Sequence, residues 1–203
     1  MEHLTLPGVE WSVASRALEL DTSGDAHIVR ADRDRLLLGV VDALGHGPAA
    51  AATTDRALAV LERAAFEDLA SVVRRCHEEL RSTRGAVLTL VWIDRVRDRM
   101  SWVAVGDIQG LVRRDRATGM RLDLLIGRGG VVGRHLPPLV AGVAPIAPGD
   151  LLVLATDGIR PGYAQWLSRS ETTQRVADAI MGGFRTGRDD ALVLVARYHG
   201  MAA

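Results

Sequence analysis

Aspartates stand at the ends of the most apolar runs of this 203-residue chain. Asp42 closes LLLGVVD, Asp157 closes LLVLATD, Asp189 and Asp190 immediately precede ALVLVAR, and Asp25 precedes AHIVRA. If the strands that end in Asp42 and Asp157 run opposite to those that follow Asp25 and Asp189, all these carboxylates emerge at one edge of the sheets. Carboxylates crowded at the end of a buried sheet repel one another and carry raised pKa values unless a cation compensates them. A divalent metal is the natural resolution. An all-oxygen site selects hard ions such as Mg²⁺ or Mn²⁺, and the sequence has no Cys/His cluster at the spacing zinc needs. Two such ions about 3.5 to 4 Å apart can share a bridging carboxylate and a water, lower the pKa of that water and orient it for in-line attack on phosphorus. Hydrolysis of a phosphate ester then needs no nucleophilic side chain. Taken singly, an Asp beside a Gly, as in Gly24-Asp25 or Asp157-Gly158, is ordinary turn chemistry. Its repetition at the ends of separate apolar strands favours a site.

The elements that would position these residues follow from hydrophobic periodicity. Segments 10–18, 26–31 and 35–41 have strand character and are separated by turn residues, which suggests antiparallel neighbours. After Gly47-Pro48 an Ala-rich stretch to Ala65 keeps Ala50, Ala57, Leu58 and Leu61 on one helical face, and Phe66, Leu69, Val73, Cys76 and Leu80 repeat that spacing in a second helix. Strand character returns at 85–94, 100–106 and 108–113, then at 151–156, followed by a helix over 171–181 and a final apolar strand over 191–198. Strands in consecutive hairpins with grouped helices predict an α+β layered sandwich, not a doubly wound parallel sheet.

Composition narrows the function. Basic and acidic residues number 25 each, so the net charge is zero, and no long block of like charge occurs. A nucleic-acid wrapper and a polybasic membrane binder are disfavoured. All 25 basic residues are Arg, which excludes a lysine Schiff base and a P-loop. The single Cys76 cannot form an intrachain disulfide, and its place on an apolar helix face suits a small buried hydrophobe better than a nucleophile. With no linker, repeat, leader-like segment or long apolar run, the expectation is one domain over residues 1–203 in the cytoplasm, with no membrane partner.

The pieces Ser23-Gly24-Asp25, Val41-Asp42-Ala43-Leu44-Gly45-His46-Gly47, Arg84-Gly85-Ala86, Val105-Gly106-Asp107, Thr156-Asp157-Gly158 and Gly187-Arg188-Asp189-Asp190 occur in the order and spacing of the metal-dependent PPM (PP2C-like) phosphatases. The resemblance covers nearly the whole chain and is strongest to the small SpoIIE-type members of the stressosome type. It implies a PP2C-like αββα sandwich of two antiparallel sheets flanked by helices. It also implies that Asp42 is the bridging ligand, that Asp157 and Asp189 complete one metal site, and that Asp25 and the backbone carbonyl of Ala43 hold a second ion. Asp190, next to a ligand, would support it from behind or touch metal through water.

Some positions depart from that family pattern. Ala43 stands where a Gly usually follows the first Asp, and its Cβ restricts φ, so the second of two Mn²⁺ or Mg²⁺ sites is expected to be weak. Leu192 replaces a Thr two places after the paired Asp, so a supporting hydroxyl is expected to be missing. Leu44 stands where many relatives place a His, and His46, between two glycines, either meets substrate phosphate or caps a tight turn. His3, His27, His77, His135 and His199 are isolated and read as surface or packing residues. The segment Gly127 to Gly133 reads as a flexible surface loop; the resemblance implies a place on the substrate-facing surface, with Arg128 or Arg134 reaching phosphate, against the commoner outcome of a solvated arginine. The resemblance thus implies a phosphoserine/phosphothreonine phosphatase acting on a phosphorylated STAS-domain regulator of an alternative sigma factor or a related output. A PPM-fold binding module with weak or no turnover, and a hydrolase of small phosphate esters, are the rival readings.

Overall fold

The computed structural model describes residues 2–6, 8–18, 22–32, 34–65, 67–116, 119–167 and 171–201. In chain order the elements are β1 (Glu2–Leu6), β2 (Val9–Arg16), β3 (Asp25–Ala31), β4 (Arg35–Ala43), α1 (Pro48–Arg63), α2 (Leu69–Leu80), β5 (Ala86–Asp94), β6 (Arg99–Val105), β7 (Gln109–Arg116), β8 (Gly119–Leu124), β9 (Gly142–Pro145), β10 (Leu151–Ala155), a short 3-10 turn (Tyr163–Trp166), α3 (Thr173–Phe184) and β11 (Ala191–Tyr198). The strands form two sheets, in the orders β1-β2-β11-β10-β7-β8 and β3-β4-β5-β6-β9, and every strand pairing is antiparallel. This is the layered α+β sandwich the sequence predicts.

Period-two alternation splits each central strand between two cores. In β4, Leu36, Leu38 and Val40, together with Val91 and Ile93 of the neighbouring β5, face the opposite sheet, where the cluster includes Leu152, Leu154 and Leu194. Leu37 and Val41 face α1 and α2, packing with Leu61, Val73, Cys76 and Leu80. On the far side α3 lays Val176, Ala177 and Ile180 over Val153, Val193 and Val195. Covered on both faces, β4, β5, β10 and β11 read as unbroken apolar runs although they are antiparallel. Each such Leu contributes about 1.5–3 kcal/mol by burial.

Two helices start later than the periodicity predicts. Asp68 caps α2 by accepting from the amides of Ala70 and Ser71, and Thr172 caps α3 by accepting from Arg175 N. Phe66, placed in the second helix by its spacing, lies outside the described residues. Strands β1, β8 and β9 were not expected, and all three lie at or next to sheet edges. The sheets are also joined at the end opposite the aspartates, where the Tyr198 hydroxyl of β11 donates to Asp98 Oδ1 (2.5 Å) in the turn between β5 and β6. Among the described residues no helix is long and apolar enough to cross a membrane.

Candidate metal centre

The antiparallel registers bring the aspartates to one edge. Asp25 opens β3 directly opposite Asp42 near the end of β4, and Ala155 of β10 pairs with Val193 of β11, so Asp157 follows the one strand where Asp189 and Asp190 precede the other. Asp42, Asp157 and Asp189 line a cleft of about 400 Å³ with Leu44, Gly45, Val87, Gly106, Asp107 and the Gly129–Val131 segment. Asp25 is buried behind this cleft, in the wall of a larger hollow of about 680 Å³ between β2, β3 and α1. The carboxylates concentrate in the smaller cavity. Among the described residues no three of them close into a tight ligand cage; they stand around an open mouth.

Asp107 is the carboxylate that the strand-end rule missed. It follows β6 just as Asp157 follows β10, and the run Trp102 to Val105 before Gly106-Asp107 carries the same signal of an apolar strand with a small residue and Asp at its end. Gly106 is required there, because a Cβ would stand 2.2 Å from Val87 Cγ1.

Hydrogen bonds from both sheets hold the supporting residues. Asp190 is buried and accepts from Leu18 N at 2.7 Å (Oδ1) and Gly24 N at 2.6 Å (Oδ2), so it fastens the segment that leads into Asp25. Its own amide donates to Asp189 Oδ1 at 2.8 Å. Its carboxylate is thereby committed to two backbone amides behind the cleft. Thr156 Oγ1 donates to Asp25 Oδ2 at 2.7 Å and accepts from Leu192 N at 2.9 Å. Position 192 carries no hydroxyl, and Thr156, at the neighbouring strand end, places one between Leu192 N and Asp25. Gly158 permits this closeness, since a Cβ would lie 1.9 Å from Asp190 O.

Ala43 is fully buried at the end of β4, packed among the α1 and α2 residues, and its φ is not positive. Its Cβ therefore costs no backbone strain. His46 is exposed in the Gly45–Gly47 turn and does not line the cleft. The segment Gly127 to Gly133 is not a free loop: Val132 exchanges backbone hydrogen bonds with Ala86 (2.8 and 3.0 Å), and Arg128 bonds Ala104 and Gly106. Arg128 lines a neighbouring groove, and Arg134 Nε donates to Arg84 O at 3.3 Å. His77 Nδ1 accepts from Gly133 N, a packing role.

Electrostatics agree with the crowding. Burial first, then the charges of Asp25, Asp157, Asp189 and Asp107, push Asp42 up to about 9. Burial raises Asp25 to about 7 against the opposing Thr156 hydrogen bond, with Asp190, Asp157 and Asp189 adding to the rise. Asp157 is raised by burial, Asp189 and Asp107. Among the described residues no Arg or His forms an ion pair with Asp25, Asp42, Asp107, Asp157 or Asp189. Uncompensated, oxygen-only and open to solvent, this donor set fits a hard divalent cation. By contrast Cys76 is buried and its thiol is pushed up to about 12, which removes it as a nucleophile.

Comparison with known proteins bears on the same chain segments. A family model described as Stage II sporulation protein E (SpoIIE) matches residues 32–199. The phosphoserine phosphatase RsbX of Bacillus subtilis (strain 168) is 22% identical over 173 residues, 85% of each chain. A chain from a structure described as "The bacterial stressosome: a modular system that has been adapted to control secondary messenger signaling" is 30% identical with a TM-score of 0.83, covering 93% of this chain and 99% of that one. The crystal structure of RsbX in complex with magnesium superposes with a TM-score of 0.87 at 18% identity, over 97% and 98% of the two chains. The catalytic domain of the serine/threonine phosphatase PstP in complex with two manganese ions gives 0.69 at 18% identity, over 94% and 98%.

Proposed function

Because the chain belongs to the SpoIIE family of PP2C-like proteins, we propose that it is a metal-dependent phosphatase that removes phosphate from phosphoserine or phosphothreonine on a partner protein. The observation that carries this reading is the gathering of Asp42, Asp107, Asp157 and Asp189 around one open cleft, with Asp42 pushed up to about 9, Asp157 raised above the usual carboxylate range, and no ion-paired cation among the described residues.

In this reading Asp42, Asp157 and Asp189 hold one Mn²⁺ or Mg²⁺, and Asp42, the Ala43 carbonyl and Asp25 hold a second. Bound there, the ions supply a water of lowered pKa and polarise the phosphoryl oxygens. The chain does the rest by position. Asp42 comes from one sheet and Asp157 and Asp189 from the other, so pairing of both sheets fixes their separation. Thr156 orients the Asp25 carboxylate, and Asp190 holds the backbone before it. Leu44 and the Gly129–Val131 backbone form uncharged walls at the mouth. A cleft this open offers little grip on a small ester, so affinity comes from the protein that carries the phosphate.

The partner is a phosphorylated STAS-domain regulator, and its dephosphorylation resets signalling to an alternative sigma factor or a related output in the cytoplasm. Similarity to RsbX and to the stressosome chain supports this choice. The binding-module reading loses one of its motives, because Ala43 is unstrained.

The deciding experiment is phosphate release from a phosphorylated STAS-domain protein with Mn²⁺, Mg²⁺ or EDTA, for the wild type and Asp42→Ala. Metal-dependent release that the substitution abolishes is the expected result. A folded wild type that binds the phosphoprotein and releases nothing with either metal would replace the phosphatase by a binding module. Turnover of free phosphoserine comparable to that of the phosphoprotein would move the substrate to small esters.

A further inference from the structure

We propose that Arg84 is the phosphate-binding side chain of this site, a guanidinium at the cleft rim that grips the phosphoryl oxygens of substrate and of product phosphate. The assignment rests on the phosphatase reading above. A phosphoryl group carries about −1.5 to −2 charge at neutral pH and enters a cleft lined by four carboxylates. Metal compensates the carboxylates, yet no residue of the lining is basic. A lysine is unavailable, since the chain has none. A positive side chain that adds to the metal in holding the phosphate would therefore come from an arginine on the rim.

Arg84 stands there. Gly45, which lines the cleft, is so close beneath it that a Cβ on Gly45 would lie 2.6 Å from Arg84 Nη1 and 3.8 Å from Cζ. The guanidinium thus covers bare backbone at the edge of the carboxylate cluster. It is exposed, and among the described residues it makes no hydrogen bond or ion pair. The other arginines of this wall are differently engaged: Arg134 donates to the Arg84 carbonyl, and Arg128 lines the adjacent groove.

The backbone beneath Arg84 is fastened on both sides. Thr83 Oγ1 donates to Leu80 O at 2.7 Å and accepts from Gly85 N at 3.0 Å, which closes the turn after α2. Leu44 N donates to Gly85 O at 3.0 Å, which ties that turn to the loop immediately after Asp42. The backbone that carries the rim cation is therefore hydrogen-bonded to the loop that follows Asp42. A planar fork in this place binds two phosphoryl oxygens at once, which a point charge cannot do.

The test uses the full chain loaded with Mn²⁺. Inorganic phosphate is titrated calorimetrically, and kcat and KM are measured on a phosphoprotein, for the wild type, Arg84→Ala, Arg84→Lys and the same-turn control Arg81→Ala. Charged hydrogen bonds of this kind correspond to about 10- to 100-fold in affinity. Arg84→Ala is expected to weaken phosphate binding and raise KM by that factor, with Mn²⁺ affinity and thermal midpoint unchanged. Arg84→Lys should recover part of the loss, and Arg81→Ala should bind phosphate and turn over as the wild type does. Phosphate binding and KM within twofold of the wild type in Arg84→Ala would overturn the assignment. So would a parallel fall in Mn²⁺ affinity, which would make Arg84 a prop for the metal loop. A wild type that binds phosphate through Arg84 but releases none from the phosphoprotein would sink the phosphatase reading and leave Arg84 standing.

Discussion

Replacing Asp190 by Asn separates its task of holding the chain from its charge. The carboxylate is 3% exposed and accepts two short backbone hydrogen bonds, from Leu18 N and Gly24 N. An amide keeps the shape but turns one acceptor into a donor, so one of the two N–H groups faces another N–H. A hydrogen bond to a charged group contributes about 1.5–3 kcal/mol, and a buried donor left unpaired adds its desolvation cost. The expected loss for Asp190→Asn is therefore about 2–3 kcal/mol, and for Asp190→Ala, which empties both bonds, about 3–5 kcal/mol. Relief of the repulsion that Asp190 exerts on Asp25 works in the other direction and keeps the Asn figure at the lower end. At about 2–4 °C per kcal/mol for a chain of this size, the Asn variant melts roughly 4–12 °C lower. Urea titration of the metal-free protein with an unchanged m-value is the assay. Two results would refute the reasoning: Asn within 0.5 kcal/mol of the wild type by this scale of surface changes, or Ala more stable than Asn.

The metal-free protein should lose stability as pH rises. Asp42 and Asp25 bind protons more tightly folded than unfolded, so between the ordinary carboxylate range and about 9 the folded state holds the extra protons and rising pH removes them at its expense. Thermal midpoints in EDTA at pH 5, 7 and 9 should fall in that order and flatten when Mn²⁺ is added; a rise in EDTA would contradict the raised pKa values. Gly158→Ala places a Cβ 1.9 Å from the backbone oxygen of Asp190 and should cost about 2 kcal/mol or more, read by urea unfolding. An unperturbed Gly158→Ala would mean that the β10 and β11 ends are not closely stacked.

The parts of the fold that were legible are those buried twice. LLLGVV, VLTLV, LLVLA and ALVLVA are sealed by helices on one face and by the other sheet on the second, so their apolar runs stand out; Asp42, Asp157 and Asp189 mark the site edge of the first, third and fourth, whereas the Asp94 that closes the second lies at the far end, opposite Arg35. Strand β8 gives no such signal, because Met120, Leu122 and Leu124 are exposed and interleaved with Gly, Arg and Asp on an edge. Strand β9 is four residues ending in Pro145, and its place is set by pairing with β6 alone. The task of Thr156 is not legible in its motif, because it depends on the pairing of β10 with β11, which brings Leu192 N and Asp25 to one hydroxyl. Spacing along the chain carries no trace of such a three-way meeting.

The hydroxyl of Tyr198 has its effect far from where it binds. Seven residue steps of β11 separate it from Ala191, about 23 Å at the usual strand rise. At one end of that strand Thr156 stitches the sheets together through Leu192 and Asp25; at the other the Tyr198 to Asp98 bond does the same. Hydrogen bonds near both ends of β11 add directional constraints to the interdigitated apolar faces between the sheets. Misplacement by 1 Å is enough to cost a catalytic constellation orders of magnitude. The alignment of Asp42 with Asp157 and Asp189 is in this sense set with a lever, one arm of which ends at a tyrosine on the opposite side of the molecule.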